Sequence, residues 1–345
     1  MKIYLLFLFL LQSALLHAQD FSFSQFYESP MLRNPALAGV FDGDARVSGT
    51  FRNQWQSVTM PYRTGAASAE VKFFVFGKDY LTLGLQTTYD EAGDIKLKRT
   101  SILPVVNYHK SLDDEGTYVQ VGFMGGPVSN QFDPTKAKYG DQWVNGSYDP
   151  SNPTQQQFNR TGMNYFDASG GFSLNGNLGT NLHYYAGMGF YHVNRPQVAF
   201  YTNDTKTLLN PKVAVTTGLN LETSDNNSLT VYADYYSQAG HRQFIAGALY
   251  ETILTQVTNE EENNKIALYV GGLYRYNDAL IPIIKLDAYH FGVGLSYDVN
   301  ISKLSTASQF RGGFELSLAY RMKFSNGYNS KVGRQVECPG PGKGF

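Results

Sequence analysis

The chain has 345 residues and a formal net charge of −1, with 28 basic and 29 acidic side chains. Charged residues make up only 17% of it, whereas an average soluble domain carries roughly 25%. Aromatic residues reach 14%, and glycine occurs 34 times. The balanced charge excludes a broad cationic surface, so no nucleic-acid partner is expected. The scarcity of charge beside many aromatics and glycines disfavours an ordinary soluble enzyme.

Residues 1–18 have the pattern of a secretory signal peptide. Lys2 precedes an apolar stretch from Ile3 to Leu11, and the small residue Ala18 stands where cleavage is expected. The stretch is shorter than the ~20 apolar residues that a membrane-spanning helix needs, and no such run follows Asp20. We therefore expect an exported protein; the alternative for this segment is a short buried helix.

From Ala45 onward, apolar side chains alternate with polar or small ones. In the run from Phe291 to Ser302, for example, every odd-numbered residue is apolar and every even-numbered residue is small or polar. This period of two predicts β-strands. The runs extend over ten or more residues, the ~9–11 that a tilted strand needs to cross a membrane, whereas soluble strands average ~5–6.

Two architectures share this pattern, a secreted β-sandwich and an outer-membrane barrel. Tyr and Phe recur at the predicted strand ends, where membrane barrels carry aromatic girdles, and the second face carries charged or small residues that a lumen tolerates. We therefore predict an all-β fold, a transmembrane outer-membrane β-barrel of about 14 antiparallel strands with both chain ends in the periplasm. Outer-membrane lipid is then an expected partner.

The predicted strands begin near Ala45, Gly65, Tyr80, Ile95, Gly116, Gly162, Thr180, Pro211, Ser228, Phe244, Ile266, Ile281, Phe291 and Gly313. Short turns are predicted on the periplasmic side. Longer connections are predicted on the outer side, including Val128–Thr161, His192–Asn210, Ser237–Gln243 and Tyr276–Leu280. The barrel should occupy residues 45–325, followed by a periplasmic tail over 326–345.

The tail contains the single cysteine, Cys338, within a Pro/Gly-rich sequence. An intramolecular disulfide is excluded; this thiol either pairs with a partner chain or has no role.

Residues 19–44 form a separate N-terminal segment. Pro30 and Pro35 exclude a long helix, and the pattern is too irregular for a strand. We expect this segment either to plug the lumen or to lead into the first strand as extended chain. If it is a plug, the anchoring residues are Phe21, Phe23, Phe26, Tyr27, Asn34 and Pro35.

No catalytic or metal site is predicted, and no cofactor. The mature chain's histidines (His109, His183, His192, His241 and His290) lack the spacing of metal ligands, and Asp42-Gly43-Asp44 predicts a turn. A hydrolase site on the barrel wall is the enzymatic alternative, resting only on histidines near strand ends.

Several segments resemble the PorP/SprF family of outer-membrane proteins, which is linked to type IX secretion and gliding motility. They are Gln25–Pro30, Asn34–Gly39, Arg52–Trp55, Pro61–Thr64, His192–Pro196, Leu295–Leu304 and Glu315–Tyr320, and the similarity covers nearly the whole mature chain. The resemblance implies a non-enzymatic barrel that helps to export a large surface protein such as an adhesin, or holds it at the cell surface. Other type IX secretion components are implied as further partners. A porin-like channel for small solutes is the alternative.

Topology places parts of these segments in the first, fourth and seventh outer loops. We predict that they form one extracellular rim that binds the C-terminal region of the exported protein; the residues are Arg52, Asn53, Gln54, Trp55, Tyr62, Asn194, Arg195, Pro196 and Lys303. The alternative is that they brace the barrel mouth, with Arg52 paired to a luminal carboxylate such as Glu70.

Overall fold

The computed structural model describes residues 20–54, 60–200, 207–258, 263–303, 305, 309 and 311–324. Within them, fourteen antiparallel strands close into one barrel. In chain order these are β1 (Ala45–Gln54), β2 (Tyr62–Phe76), β3 (Asp79–Ala92), β4 (Leu97–Ser111), β5 (Tyr118–Gln131), β8 (Gly162–Leu178), β9 (Leu182–Tyr191), β10 (Lys212–Ser224), β11 (Asn227–Gln238), β12 (His241–Thr258), β13 (Asn263–Arg275), β14 (Ala279–Ala288), β15 (Phe291–Asn300) and β16 (Arg311–Met322). The short strands β6 (Trp143–Val144) and β7 (Ser147–Tyr148) form a separate hairpin in the β5–β8 loop.

Each barrel strand pairs with the barrel strands before and after it in sequence, and β1 closes the barrel against β16. The two-residue alternation in the sequence gives the barrel wall two different faces. Along β15, Phe291, Val293 and Leu295 point outward and are exposed, while the intervening residues are buried inside. An exposed apolar outer face and a polar inner one are the pattern of a barrel in lipid. The predicted fold class and strand number are confirmed.

The predicted strand starts also agree with the structure, and the largest differences, at Gly65, Phe244 and Ile266, are three residues. The two ends of the barrel differ. At one end, which we call the terminal end, β1 begins and β16 ends. At the other end, which we call the loop end, lie the β1–β2, β5–β8, β9–β10 and β15–β16 connections.

Two predicted long loops at the loop end were wrong. The β11–β12 connection is the two-residue turn Ala239-Gly240, in which both residues have positive φ, and the β13–β14 connection contains three residues. Positive φ at both positions gives the tight turn whose twist matches paired strands. β11 and β12 therefore remain paired up to Gln238 and His241.

The wall has a step at the loop end between β8 and β9. β8 pairs with β5 from Gly162 to Asn175, but it pairs with β9 only from Gly170 to Leu178. The first eight residues of β8 therefore extend beyond the paired part of β9.

Short helical turns occupy the residues before β1 and the β5–β8 loop. They are the 3₁₀ turns Phe26–Glu28 and Pro35–Leu37 on either side of α1 (Pro30–Arg33), and the loop turns Pro134–Lys136 and Gly140–Gln142. In the described part of the chain, none of the helices has the length and apolarity to cross a membrane. The expected signal peptide, Trp55 and the 326–345 tail with Cys338 lie outside the described residues.

Candidate functional site

Residues 20–44, which we call the luminal segment, run through the inside of the barrel from the loop end to the terminal end. At the loop end, Asp20 lies beside His192, which follows β9, and Lys212, the first residue of β10. At the terminal end, the backbone N–H of Asp44 donates to the carbonyl of Met322 at 2.8 Å. Between residues 23 and 41, every residue is buried except Leu32, which is half-buried.

Near the loop end, carboxylates of the wall accept the backbone N–H groups of the segment. The N–H groups of Ser24 and Gln25 donate to the two carboxylate oxygens of Glu315 at 2.7 and 2.6 Å. The Ser24 hydroxyl donates to Asp298 at 2.5 Å. Because the segment forms no sheet ladder, these side chains supply the partners that its buried backbone needs.

In the middle of the lumen, ion pairs join the segment to the wall. Arg33 forms a two-pronged pair with Asp234 of β11, with both nitrogen–oxygen distances at 2.8 Å, and also donates to the Tyr185 hydroxyl. In the second pair the charges are reversed, with the acid on the segment and the base on the wall. The Glu28 carboxylate accepts a hydrogen bond from the Lys285 ammonium group of β14 at 2.5 Å. All four charged side chains of these two pairs are almost completely buried. A buried charge requires such a partner, so each pair fixes one point of the segment in the lumen.

The Asn34-Pro35-Ala36 turn lies against a glycine-rich part of the wall. Asn34 accepts from the N–H of Ala36 at 3.0 Å and donates to the carbonyl of Phe172 at 3.0 Å. Asn107 of β4 donates to the carbonyl of Ala36 at 2.8 Å. A Cβ atom on Gly122 would stand 2.5 Å from the Pro35 carbonyl carbon and oxygen. Glycine there lets the two backbones approach closely.

Toward the terminal end, Glu70 of β2 is shared by the segment and the wall. It accepts from the N–H of Gly39 at 2.6 Å and from Arg46 of β1 at 2.7 Å. Gly39 has φ +79°, in the left-handed region that favours glycine.

Aromatic side chains complete the packing of the segment. The ring of Tyr27 stacks on that of Tyr232 with 5.3 Å between centroids, and Phe26 meets Tyr232 edge-on at 5.8 Å. Phe23 is buried and Phe21 is half-buried, and their rings are 5.8 Å apart. Five of the six predicted plug residues, Phe23, Phe26, Tyr27, Asn34 and Pro35, are therefore buried in the lumen.

At the loop end, His192 links the start of the luminal segment to the edge of β8. Its Nε2 lies 2.7 Å from Asp20 and its Nδ1 lies 2.8 Å from Asp167, while Arg99 pairs with Asp20 at 2.7 Å. Burial acts to lower the pKa of His192, but the hydrogen bonds that its ring donates to Asp167 and Asp20 outweigh burial and raise that pKa. Burial acts to raise the pKa of Asp20, but Arg99 and His192 hold it well below its usual range. The imidazole thus bridges two carboxylates, one at each ring nitrogen.

Asn194 continues the barrel wall where β9 ends. The N–H of Val193 donates to the carbonyl of Ala168 at 3.0 Å. The Asn194 side chain accepts from the N–H of Ala168 at 3.1 Å and donates to the carbonyl of Phe166 at 2.7 Å. A single amide side chain therefore supplies the hydrogen bonds that the next residues of a neighbouring strand would supply.

The structure disperses the predicted rim residues. Asn53, Gln54 and Tyr62 are half-buried at the loop ends of β1 and β2, Asn194 and Arg195 are exposed, Pro196 is buried, and Lys303 is exposed; Trp55 is not among the described residues. Arg195 and Lys303 thus present cationic side chains at the loop end.

Arg52 lies inside the barrel and not on the rim surface. Its guanidinium donates to Asp298 at 2.6 Å and to the carbonyl of Ser22. The suggested pairing with Glu70 was wrong: Glu70 is directly opposite Arg46 across the β1–β2 ladder. Six residues separate Arg46 from Arg52 along β1, about 20 Å at ~3.3 Å per residue, so Glu70 is beyond its reach. For Arg52 the geometry favours the bracing alternative.

Sequence reasoning missed the charged residues that hold the segment, namely Glu28, Arg33, Asp234 and Lys285. The only available signal was a charge at a lumen-facing strand position, as at Lys285 between the apolar residues Ile284 and Leu286. Among the described residues, no group of three or more metal-ligating side chains is close enough to hold an ion.

A comparison with known families gives one match that covers most of the chain. The family model described as type IX secretion system membrane protein PorP/SprF matches residues 15–320. The search of curated proteins gives no match.

Similar solved structures include a Pseudomonas aeruginosa FadL homologue, with 9% identity over 85% of this chain and 94% of that one and a TM-score of 0.49. The beta domain of the Bordetella autotransporter BrkA has 13% identity over 81% and 99%, with a TM-score of 0.39. The translocator domain of the autotransporter NalP from Neisseria meningitidis has 12% identity over 81% and 88%, with a TM-score of 0.37.

Proposed function

This chain belongs to the PorP/SprF family of type IX secretion system membrane proteins, and we propose that it assists the export or surface retention of a large secreted protein by binding that protein's C-terminal region. It is an outer-membrane barrel, and the terminal end faces the periplasm because an even number of strands returns both chain ends to that side. No catalytic role is proposed.

One observation carries the proposal: the luminal segment runs through the barrel from end to end, with ion pairs to the wall at Arg33 and Glu28. We propose that it acts as a plug. A barrel closed in this way works through its outer surface, since the lumen is not a route for solutes. This argues against the porin-like alternative.

Conductance tests the plug directly. The purified barrel in planar lipid bilayers should show little conductance, and deletion of residues 19–39 should open a stable pore. Heat-modifiable migration on a gel reports whether the deletion variant has folded. A folded variant with unchanged small conductance would contradict the plug, and a large conductance of the intact barrel would support a porin.

The outer rim offers the surface for the exported protein. Arg195 and Lys303 are exposed and Tyr62 is half-buried. Arginine and tyrosine suit such a surface because they combine a large contact area with directional hydrogen bonds. We propose that these three residues and Trp55 contact the exported protein.

Purification of the tagged barrel from outer membranes, followed by mass spectrometry, should recover one exported protein through its C-terminal region. The Trp55→Ala and Arg195→Ala variants should recover less of it. Lys136→Ala is the matched control, since it removes a partly exposed cation from a different outer loop. Recovery at the wild-type level by both rim variants, with normal barrel assembly, would contradict the rim.

A further inference from the structure

The loop end of β8 is an open strand edge. From Gly162 to Ala168 this strand pairs with β5 on one side, whereas its ladder to β9 begins only at Gly170. Asn194 and Val193 supply hydrogen bonds to Phe166 and Ala168 on the β9 side. Within the described residues, the edge beyond them continues without a neighbouring strand.

Strand geometry determines which backbone groups face this edge. The N–H and C=O of one residue point to the same side of a strand, and successive residues alternate. Ala168 and Phe166 face the β9 side, because Val193 and Asn194 bond them there. Asn164 and Gly162 therefore face it too. Within the described residues, no hydrogen bond reaches their backbone groups on this side.

The open edge lies beyond the hydrocarbon layer. β9 has ten residues, enough for the ~9–11 that a membrane crossing needs, and its end is level with the β8 residues near Gly170. Beyond Gly170, the outward side chains of β8 change from the exposed apolar Phe166 to the exposed polar Asn164. The edge therefore stands on the extracellular side, where a protein segment can approach it.

Natural edge strands are usually protected by lysine, proline or a bulge. The five residues from Gly162 to Phe166 contain neither lysine nor proline. The Asn194 amide already acts as a substitute strand for two backbone groups, so the geometry of a ladder is in place. An edge with unpaired donors and acceptors at every second residue can bind an extended peptide.

We propose that an extended segment of the exported protein adds to the Gly162–Phe166 edge of β8 as a further strand. This inference rests on the proposed function and names the mode of contact. The partner strand would bond to Gly162 and Asn164 and end where Asn194 occupies the edge. Lipid tails have no donors or acceptors for these backbone groups, so lipid is not the occupant.

Asn164→Pro tests the inference, with Asn164→Ala as the matched control. Proline removes the N–H that faces the open edge, while the β5 side of residue 164 loses no hydrogen bond, and alanine keeps that N–H. The probe is the purified C-terminal region of the exported protein recovered with the wild-type barrel. We expect roughly tenfold weaker binding for Asn164→Pro, and binding within about twofold of wild type for Asn164→Ala.

Hydrogen exchange of the wild-type barrel gives a second readout that needs no variant. The Asn164 amide should become protected when the probe binds. Equal binding by folded Asn164→Pro, or no added protection at Asn164, would overturn the inference while leaving the proposed function intact. Failure of the wild-type barrel to bind any exported protein would instead remove the proposed function, and this inference with it. A cargo-free dimer that Asn164→Pro abolishes would assign the edge to a second copy of the chain and overturn the inference.

Discussion

Replacing Arg33 by methionine should release the middle of the luminal segment and leave the barrel wall intact. Arg33 binds Asp234 through two hydrogen bonds of 2.8 Å, and its guanidinium lies 4.6 Å from the centre of the Phe26 ring. The Asp234 side chain has no exposed surface, and the Tyr236 hydroxyl, at 2.7 Å, would remain as its donor. Removing one partner of a buried pair costs about 3–5 kcal/mol, because the other charge stays buried.

This cost applies to the equilibrium between a luminal segment bound inside the barrel (seated) and one released from it (unseated). The fourteen-strand ladder does not include Arg33. At about 1.4 kcal/mol for each factor of ten, the unseated population should rise by about two to three and a half orders of magnitude. Hydrogen exchange measures it: amides between residues 23 and 41 should exchange faster in Arg33→Met, and strand amides should not.

A double-mutant cycle provides the control. If the penalty comes from the unpaired carboxylate, the double variant Arg33→Met/Asp234→Leu should be destabilised by much less than the sum of the single variants. Additive single effects would refute the reasoning. Faster exchange throughout the strands of Arg33→Met would refute it as well, because it would show that the pair stabilises the wall.

Three further predictions concern the wall and the loop end. Gly122→Ala should destabilise the protein by about 1–3 kcal/mol in thermal unfolding, because the added Cβ meets the Pro35 backbone; Gly65→Ala, which meets no atom within 4 Å, should change stability by less than about 0.5 kcal/mol. The pKa of His192 is raised in the folded protein, so this histidine stabilises the fold. Its contribution to the free energy of unfolding is complete below the usual histidine pKa and is lost as pH rises through the raised value. Asp20→Asn should shift the NMR titration of the His192 ring to lower pH, and an unchanged titration would contradict the bridge. Asn194→Ala should speed exchange of the Ala168 amide by the loss of one hydrogen bond, about 0.5–1.5 kcal/mol, and exchange at the wild-type rate would exclude Asn194 as its partner.

The strands could be predicted from the sequence because alternation records the two environments of a barrel wall. In β15, lipid on one side and the lumen on the other select apolar and small or polar residues in turn. The same rule failed at the loop ends of β11 and β12. There Ser237, Gln238, Arg242 and Gln243 lie in paired strand but carry polar side chains. Strand that extends beyond the hydrocarbon layer loses the apolar face, and in sequence it then resembles a loop.

The contacts of the luminal segment could not be predicted, because they join residues that are distant in sequence. Arg52 contacts Asp298, which is 246 positions away, and Glu28 contacts Lys285, which is 257 positions away. Such pairings depend on the register between strands, and one residue of slip would turn each side chain to the other face. Turn lengths set that register, and the predicted β11–β12 turn was several residues too long.

The segments that carry the family resemblance are mostly engaged inside the protein. The Asn34-Pro35-Ala36 turn lies against Gly122, Arg52 reaches Asp298 in the lumen, and His192 and Asn194 hold the step between β8 and β9. Residues committed to internal contacts are not free to distinguish one exported protein from another. Under the proposed function, specificity for the exported protein should therefore reside in exposed groups outside these contacts. The open edge at Asn164 and the β6–β7 hairpin, where Trp143 is 54% exposed, meet that condition.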